Sequence, residues 1–369
     1  MEEVDDFQAL FANKTPMIDV RSPIEFIKGS LPTAVNLPLM EDNEREAVGI
    51  CYQQSGQNAA LLLGHELVNG DVKAARLANW RQFAEQHPEG ALFCFRGGLR
   101  SGITQQWLAE AGIHYPRIAG GYKAMRQWLS LQTDKTLASS SLLLVGGQTG
   151  VAKTRLLNEG FAGHPIPGSI DLEGLANHRG SAFGRRIEAQ PTQIGFELAL
   201  GVALVMQNAT SHRFLILEDE GRLIGRCALP ASLQIARQQA DWVRVEASLA
   251  DRVSHSYDNY ILGNLREYEE IGEPRAFELF SEDLIAALQR IRKRLGGKRH
   301  AELHQMMLDA LLSHRRGDPE QHRPWIEALL TDYYDPMYEH QMRQRSRPPL
   351  FRGNQQEVTE FLLAKSAPG

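Results

Sequence analysis

Cysteine is scarce in this chain: three residues, Cys51, Cys94 and Cys227, in 369. An odd count without C-x-x-C or C-x-x-H spacing excludes a disulfide framework and a cysteine-based zinc site, and it points to a reducing compartment. Long apolar runs are also missing, and no stretch approaches the ~20 residues that a membrane helix needs. The start, MEEVDDFQAL, lacks the basic residues and apolar core of a signal peptide. The expectation is a cytoplasmic protein without a membrane partner. No internal repeat is present. Neither charge sign dominates, with 40 Lys and Arg against 45 Asp and Glu for a net charge of -5. Nucleic-acid binding must therefore rest on a local basic patch rather than on the whole surface.

What is present suits globular domains. Apolar residues make up 43% and charged residues 23%. At roughly 100–200 residues per domain, two or three domains are expected. The texture suggests 1–130 as a first domain, 131–141 as a polar Ser/Thr-rich linker, 142–274 as a second domain, and 275–369 as a helical C-terminal region. In the first, Pro16-Met17-Ile18-Asp19-Val20 and Leu92-Phe93-Cys94-Phe95 read as buried strands. Val72 to Phe83 and Thr104 to Glu110 have helical spacing. In the second, Leu142 to Val145, Phe214 to Leu217 and Trp242 to Val245 are all-apolar or nearly so, as strands buried on both faces are. In the last, Leu284, Leu288, Ile291 and Leu295 repeat at helical spacing, with Ser281 as the N-cap and Gly296 as the stop. The fold class is α/β: an N-terminal parallel-sheet domain, a doubly wound P-loop NTPase-like domain and a helical C-terminal region.

Two loops carry chemistry. Cys94 ends a strand and is followed by Phe95-Arg96-Gly97-Gly98-Leu99-Arg100-Ser101, a C-x5-R loop leading into a helix. Glycines let backbone N–H groups turn inward, and the helix N-terminus adds positive potential. Arg96 and Arg100 add charge. Such a pocket binds an anion and favours the thiolate, making Cys94 a nucleophile. A structural cysteine between two aromatics is the bland alternative, and the Gly-Gly-x-Arg-Ser tail argues against it. Cys51 and Cys227 have no such setting.

The second loop, Gly146-Gly147-Gln148-Thr149-Gly150-Val151-Ala152-Lys153-Thr154, follows a strand and approximates the Walker A pattern. Gly147, Gly150, Lys153 and Thr154 would cradle a diphosphate, with Thr154 available to a metal ion such as magnesium. Ala152 stands where the pattern has its second glycine, and alanine fits there only with negative φ or at some strain. Leu215 to Glu220 reads as a Walker B strand whose acids, Glu218 and Asp219, could also serve a metal. The stretch Asp171 to Gly184 concentrates polar and glycine residues without amphipathic pattern. It is expected near the phosphate loop, with His178, Arg179 and Ser181 on an anion.

Pro16 to Pro23, Gly29 to Asn36 and Gly120-Gly121-Tyr122 resemble the motifs of rhodanese domains, which carry sulfur or selenium on the cysteine. Asp19, Arg21 and Glu25 would then be structural charges under the loop. Met40 to Val68 is longer than a simple rhodanese connection and reads as an insertion. A rhodanese domain followed by a P-loop domain, with the Cys94 loop, the Asp171–Gly184 stretch and Tyr333-Tyr334-Asp335-Pro336-Met337-Tyr338, resembles the tRNA 2-selenouridine synthases. The resemblance covers about residues 16 to 340 and departs from the family at Ala152.

The resemblance implies conversion of wobble 2-thiouridine to 2-selenouridine in the tRNAs for lysine, glutamate and glutamine. It implies selenophosphate as selenium donor, with a supplier of it as a partner, and an S-geranyl intermediate made from geranyl diphosphate. No tightly bound cofactor is implied. For tRNA contact the candidates are Arg290, Arg292, Lys293, Arg294, Lys298 and Arg299, then Arg343, Arg345, Arg347 and Arg352. Basic residues at a helix C-terminus also suit its dipole. Tyr333, Tyr334 and Tyr338 could stack bases or simply pack. The competing readings are a P-loop kinase or ATPase with a regulatory rhodanese module, a C-x5-R phosphatase, and a pure tRNA-binding module. The last leaves both loops unexplained.

Overall fold

A computed structural model describes residues 2–208, 214–345 and 347–366. The chain forms two compact units, Met1–Thr136 with Pro191–Ala209, and Leu137–Gln190 with Thr210–Gly369.

The first unit is built on a five-stranded parallel sheet. Its strands are β1 (Glu3–Val4), β2 (Met17–Asp19), β3 (Ala34–Asn36), β4 (Ala91–Phe93) and β5 (Arg117–Ile118), in the order β1-β5-β4-β2-β3. β2 and β4 are buried along their whole length, as their apolar runs require. The chain leaves β2 toward β3 and returns to β4 on the other side, so the order reverses between β2 and β4. Open α/β sheets place ligands beyond the carboxyl ends of strands at such a point, and Cys94 follows β4 directly. The Met40–Val68 insertion forms helix Asp42–Leu67, broken at Gly56, where φ is +81°.

The expected linker is not a loop. Ser130 to Ser139 continues helix Gly121–Ser139, and Ser141 opens the next strand. Leu129, Thr133, Thr136 and Leu137 are all buried. Two threonines do the work of apolar residues there, which hid the helical period. Helix Gln193–Asn208, expected in the second domain, packs instead with Phe11, Met125 and Leu129 in the core of the first unit.

The second unit holds another parallel sheet: β6 (Ser141–Gly147), β7 (Ser169–Ile170), β8 (Phe214–Glu218), β11 (Asp241–Val245) and β12 (Phe351–Gly353), ordered β12-β11-β6-β8-β7. A short antiparallel pair, β9 (Leu223–Ile224) and β10 (Cys227–Ala228), lies outside it. The phosphate loop leaves β6, where the order reverses. The helical C-terminal region is no separate body: Phe183 and Val253 share one core with Leu284, Leu288, Ile291, Trp325 and Tyr334. It also returns to the sheet, since β12 adds an edge strand beside β11. Three residues are too few for a period to show in sequence.

Helix Ala276–Leu295 begins five residues before the expected cap. Ser281 lies inside it and donates its hydroxyl to the Phe277 carbonyl at 2.6 Å. Gly296 ends it with φ at +86°. Two single π-helical turns, Asp258–Gly263 and Leu330–Tyr334, interrupt the helices of this region. Phe280, at 1% exposure, sits in the shared core. Phe280→Ala is expected to lower stability by about 3–5 kcal/mol, read as the denaturant midpoint followed by tryptophan fluorescence.

Candidate functional site

The cysteine loop stands on a buried charge frame. Arg21 donates through Nη2 to Asp19 at 2.6 Å and to the Gly29 carbonyl at 2.9 Å, and its guanidinium lies 3.7 Å from the centre of the Tyr122 ring. Asn36 donates to the Asp19 and Arg21 carbonyls. The pair is fully desolvated, so losing either partner would strand a charge. Glu25 accepts from the Ser22 backbone at 3.1 Å and from Arg100 at 2.5 Å. Arg100 is therefore a held cation, whereas Arg96 is exposed on the loop. At Gly97, φ is +65° and a Cβ would lie 2.8 Å from the Gly120 nitrogen, so only glycine closes this turn.

The Cys94 sulfur lies 3.2 Å from the Ser101 hydroxyl. Burial pushes the thiol pKa up. The Ser101 hydroxyl, the Ser101 and Arg96 N–H groups and the Arg100 charge together outweigh it and hold the pKa below the ordinary value. Cys227 is the contrast: burial pushes its thiol up.

The phosphate loop has the shape its sequence promised, with one departure. At Gly150 φ is +89°, and a Cβ would lie 2.8 Å from the Arg252 carbonyl. Ala152 adopts φ +60°, ψ +44°, the left-handed conformation that its side chain disfavours by about 1–2 kcal/mol. Arg252, nearly fully buried, donates to the Thr149 carbonyl at 2.9 Å and pairs with Asp335 at 2.5 Å. Gln355 donates to the Val151 carbonyl at 2.8 Å. Arg252, Asp335 and Gln355 carried no local sequence signal, since all three act across more than 80 residues.

Lys153 opens helix Lys153–Glu159. Burial pulls its pKa down, but Glu220, Glu173, Glu218 and Asp219 outweigh this and hold it above the ordinary value. Thr154 donates to Glu173 at 2.9 Å and lies 2.5 Å from Glu218. Burial and the neighbouring acids Glu173, Asp171 and Glu220 raise the Glu218 pKa well above the carboxylate range. Burial likewise pushes Glu220 up to about 7, against the pull of Lys153. The metal candidates shift accordingly. Glu218 is at Thr154, but Asp219 is taken by Arg237 at 3.1 Å and by Arg345. Glu173 replaces it, a residue that sequence reasoning had left among loop positions.

Lys153, Thr154, Glu173, Asp219 and Glu220 line a cavity of about 600 Å³ with Tyr260, Tyr334 and Tyr338, Met337 and Leu223, and Glu218 lies behind Thr154. The two π turns put Tyr260 and Tyr334 there, a use such turns often have. Tyr333, Tyr334 and Tyr338 are buried, which favours packing over base stacking. Of the expected anion contacts, Ser181 lines this cavity. Arg179 also reaches it but is committed to Glu267 at 2.7 Å and to Asn264. His178 does not: it lines a second cavity with Arg185, Arg186, Arg226 and Arg290. Burial, then Arg290, Arg179 and Arg186, lower its pKa, so it is neutral.

The basic clusters divide in the same way. Arg292, Lys293, Arg294 and Lys298 are exposed, and Arg290 donates to the Ala182 carbonyl at 2.7 Å. Arg299 is committed to Glu302 and Asp332. In the second group, Arg345 pairs with Asp219 and Arg347 lies 3.7 Å from Asp241, while Arg352 is exposed.

Comparison with known proteins decides the family. The family model described as the tRNA 2-selenouridine synthase AAA domain matches residues 140–368. A tRNA 2-selenouridine synthase from Hahella chejuensis is 50% identical over 99% of this chain and 96% of its own. The chain belongs to the tRNA 2-selenouridine synthase family. Relatives of that name from Photobacterium profundum and Marinobacter nauticus are 48% and 46% identical over 97% and 99% of this chain, and over 97% and 98% of their own. Both the cysteine loop and the phosphate loop of this synthase-family chain thus lie inside full-length matches. No helix among the described residues is long and apolar enough to cross a membrane.

The thiolate assignment is checked by carbamidomethylation of Cys94 with iodoacetamide across pH, read by peptide mass spectrometry. The rate should rise with an inflection below the ordinary thiol value of about 8.5, and Ser101→Ala should move the inflection upward. Ala152→Gly should relieve the left-handed strain and raise stability by up to about 1 kcal/mol, with part of the gain lost to the freer unfolded chain. Thermal melts of the two proteins measure it.

Proposed function

We propose that this protein converts 2-thiouridine at the tRNA wobble position to 2-selenouridine, in the tRNAs for lysine, glutamate and glutamine. One observation carries the reading: a single chain of this family holds both a thiolate-favouring anion loop at Cys94 and a diphosphate-sized loop at Lys153. Geranyl diphosphate is the first co-substrate. The thiouridine sulfur attacks the geranyl C1, the C1–O bond breaks, diphosphate leaves with the electron pair, and N3 of the base gives up its proton to the diphosphate or to water. Lys153 and the loop N–H groups stand where that charge appears. The aromatic wall of Tyr260, Tyr334 and Tyr338 suits the geranyl chain.

Magnesium fits the same loop. Thr154, Glu173 and Glu218 offer hard oxygens within reach of one another. Among the described residues no three His, Cys, Asp or Glu side chains are arranged to hold a metal unaided, so the ion would enter with the diphosphate oxygens. Bound there, it would neutralise charge on the leaving group.

In the second step the selenium of selenophosphate attacks C2, the C2–S bond breaks, and the sulfur takes a proton to leave as geranyl thiol; water then cleaves the Se–P bond, releasing phosphate and leaving C2=Se with a proton on N3. Alkylation is what turns the sulfur into a leaving group. Arg96 and Arg100 suit the selenophosphate anion and Cys94 the selenium. For tRNA, the cavity of Arg185, Arg186, Arg226 and Arg290 offers a cluster of cations to phosphates.

Lys153→Ala should abolish geranyl transfer and also selenation from 2-thiouridine, yet selenate RNA that is supplied already geranylated. Cys94→Ala should do the reverse, retaining geranyl transfer and losing selenation. Wobble-nucleoside mass spectrometry reads both. A Lys153→Ala protein that fails on geranylated RNA would assign the loop to the selenium step or to ATP. Without divalent ions, diphosphate binding should weaken as pH rises through about 7, where Glu220 gains negative charge. Glu220→Gln should flatten that profile in calorimetry.

A further inference from the structure

A cavity of about 610 Å³ opens over Cys94, within the ~300–1,000 Å³ range of small-molecule sites. Its polar end is the loop itself, with Cys94, Arg96, Arg100 and Glu25. Beyond the loop the cavity is walled mainly by apolar side chains, Leu39, Met40, Val48, Leu61, Ile103 and Trp107, with the polar Arg45, Gln53, Gln57 and His65 among them. Met40, Val48 and Leu61 come from the long insertion, the last two from helix Asp42–Leu67. Tyr52 and Leu99 also line it, at 57% and 54% exposure.

A small selenium-bearing anion uses only the cationic end. It leaves the apolar walls and the insertion that builds them without a purpose. We propose that this cavity binds the apolar chain of the S-alkylated base, so that the carbon–sulfur bond to be broken lies at the Cys94 loop. The assignment rests on the two-step reading above. It adds a second prenyl-binding site, in the cysteine-loop unit, distinct from the one that takes the diphosphate. The hydrophobic walls would retain the chain while the arginines hold the anion, and the leaving thiol would stay in the cavity until product departs.

Two cavity-filling variants test it. Gly49 lies in the wall with nothing within 4 Å of a built Cβ, so Gly49→Leu fills space and improves helix propensity. Ala60→Phe fills it from a buried position. The site-specific probe is geraniol, tested for its ability to slow carbamidomethylation of Cys94 by iodoacetamide. Wild-type protection should saturate, and each variant should need at least about tenfold more geraniol, a loss of ~1.4 kcal/mol. Selenation of S-geranyl RNA should fall by a similar factor. S-methyl RNA and geranyl transfer from the diphosphate should be unaffected, which also shows that the variants are folded. Unchanged protection and unchanged S-geranyl selenation in both variants would overturn the assignment while leaving the two-step function standing. Protection by geraniol in a wild-type protein that ignores S-geranyl RNA would instead keep the cavity and remove the two-step reading.

Discussion

The phosphate-loop unit depends on one buried ion pair. Arg252 holds Asp335 with one face of its guanidinium and the Thr149 carbonyl with Nε. It therefore ties the loop after β6 to helices whose residues lie about a hundred positions away on one side and more than eighty on the other. In water such a pair would contribute little. It is costly to break from the Asp335 side, because removal of that half-buried carboxylate leaves Arg252 charged and buried. The consequence is geometric. With Arg252 fixed, the Gly150 turn has no room for a side chain, and Tyr334 and Tyr338, on either side of Asp335, line the same cavity as the loop.

Charge is handled differently at the two loops. At Cys94 the balance is positive: Glu25 engages Arg100, Asp19 engages Arg21, and Arg96 is left facing solvent, so an anion is welcome and the thiol ionises early. At Lys153 one amine stands among Glu173, Glu218, Glu220 and Asp219, and Asp219 is itself paired with Arg237 and Arg345. Burial and neighbouring acids raise the pKa of Glu173, Glu218 and Glu220, which retain protons that a dispersed set would lose. Arg155, Arg179, Arg186 and Arg294 line the same cavity, so an anion there meets cations beyond Lys153.

Legibility in sequence followed the range of the interaction. Strand β6 and the loop after it could be read because an all-apolar run, a glycine turn and Lys-Thr are contiguous. The Cys94 loop was readable for the same reason. The linker was misread because Thr133 and Thr136 bury as though they were apolar, and β12 was missed because three residues show no period. Glu173 went unassigned because only the fold brings it to Thr154, across 18 intervening positions. Arg179 looked like a free cation because its carboxylate partner lies 88 residues away, and of the two partners of Arg299 only Glu302, three residues on, is local, while Asp332 lies 33 away.

By itself, the sequence determined the α/β class, the two reactive loops and the family, since each is written in short contiguous patterns whose physics is local: buried strands, glycine turns and helix N-termini. Tertiary structure decided which charges are free and which are spent, that helix Gln193–Asn208 belongs with the first unit, and that an insertion becomes the wall of an apolar cavity over Cys94. Those outcomes depend on which surfaces lose water to each other, and desolvation is a property of the packed chain that no short stretch of residues contains.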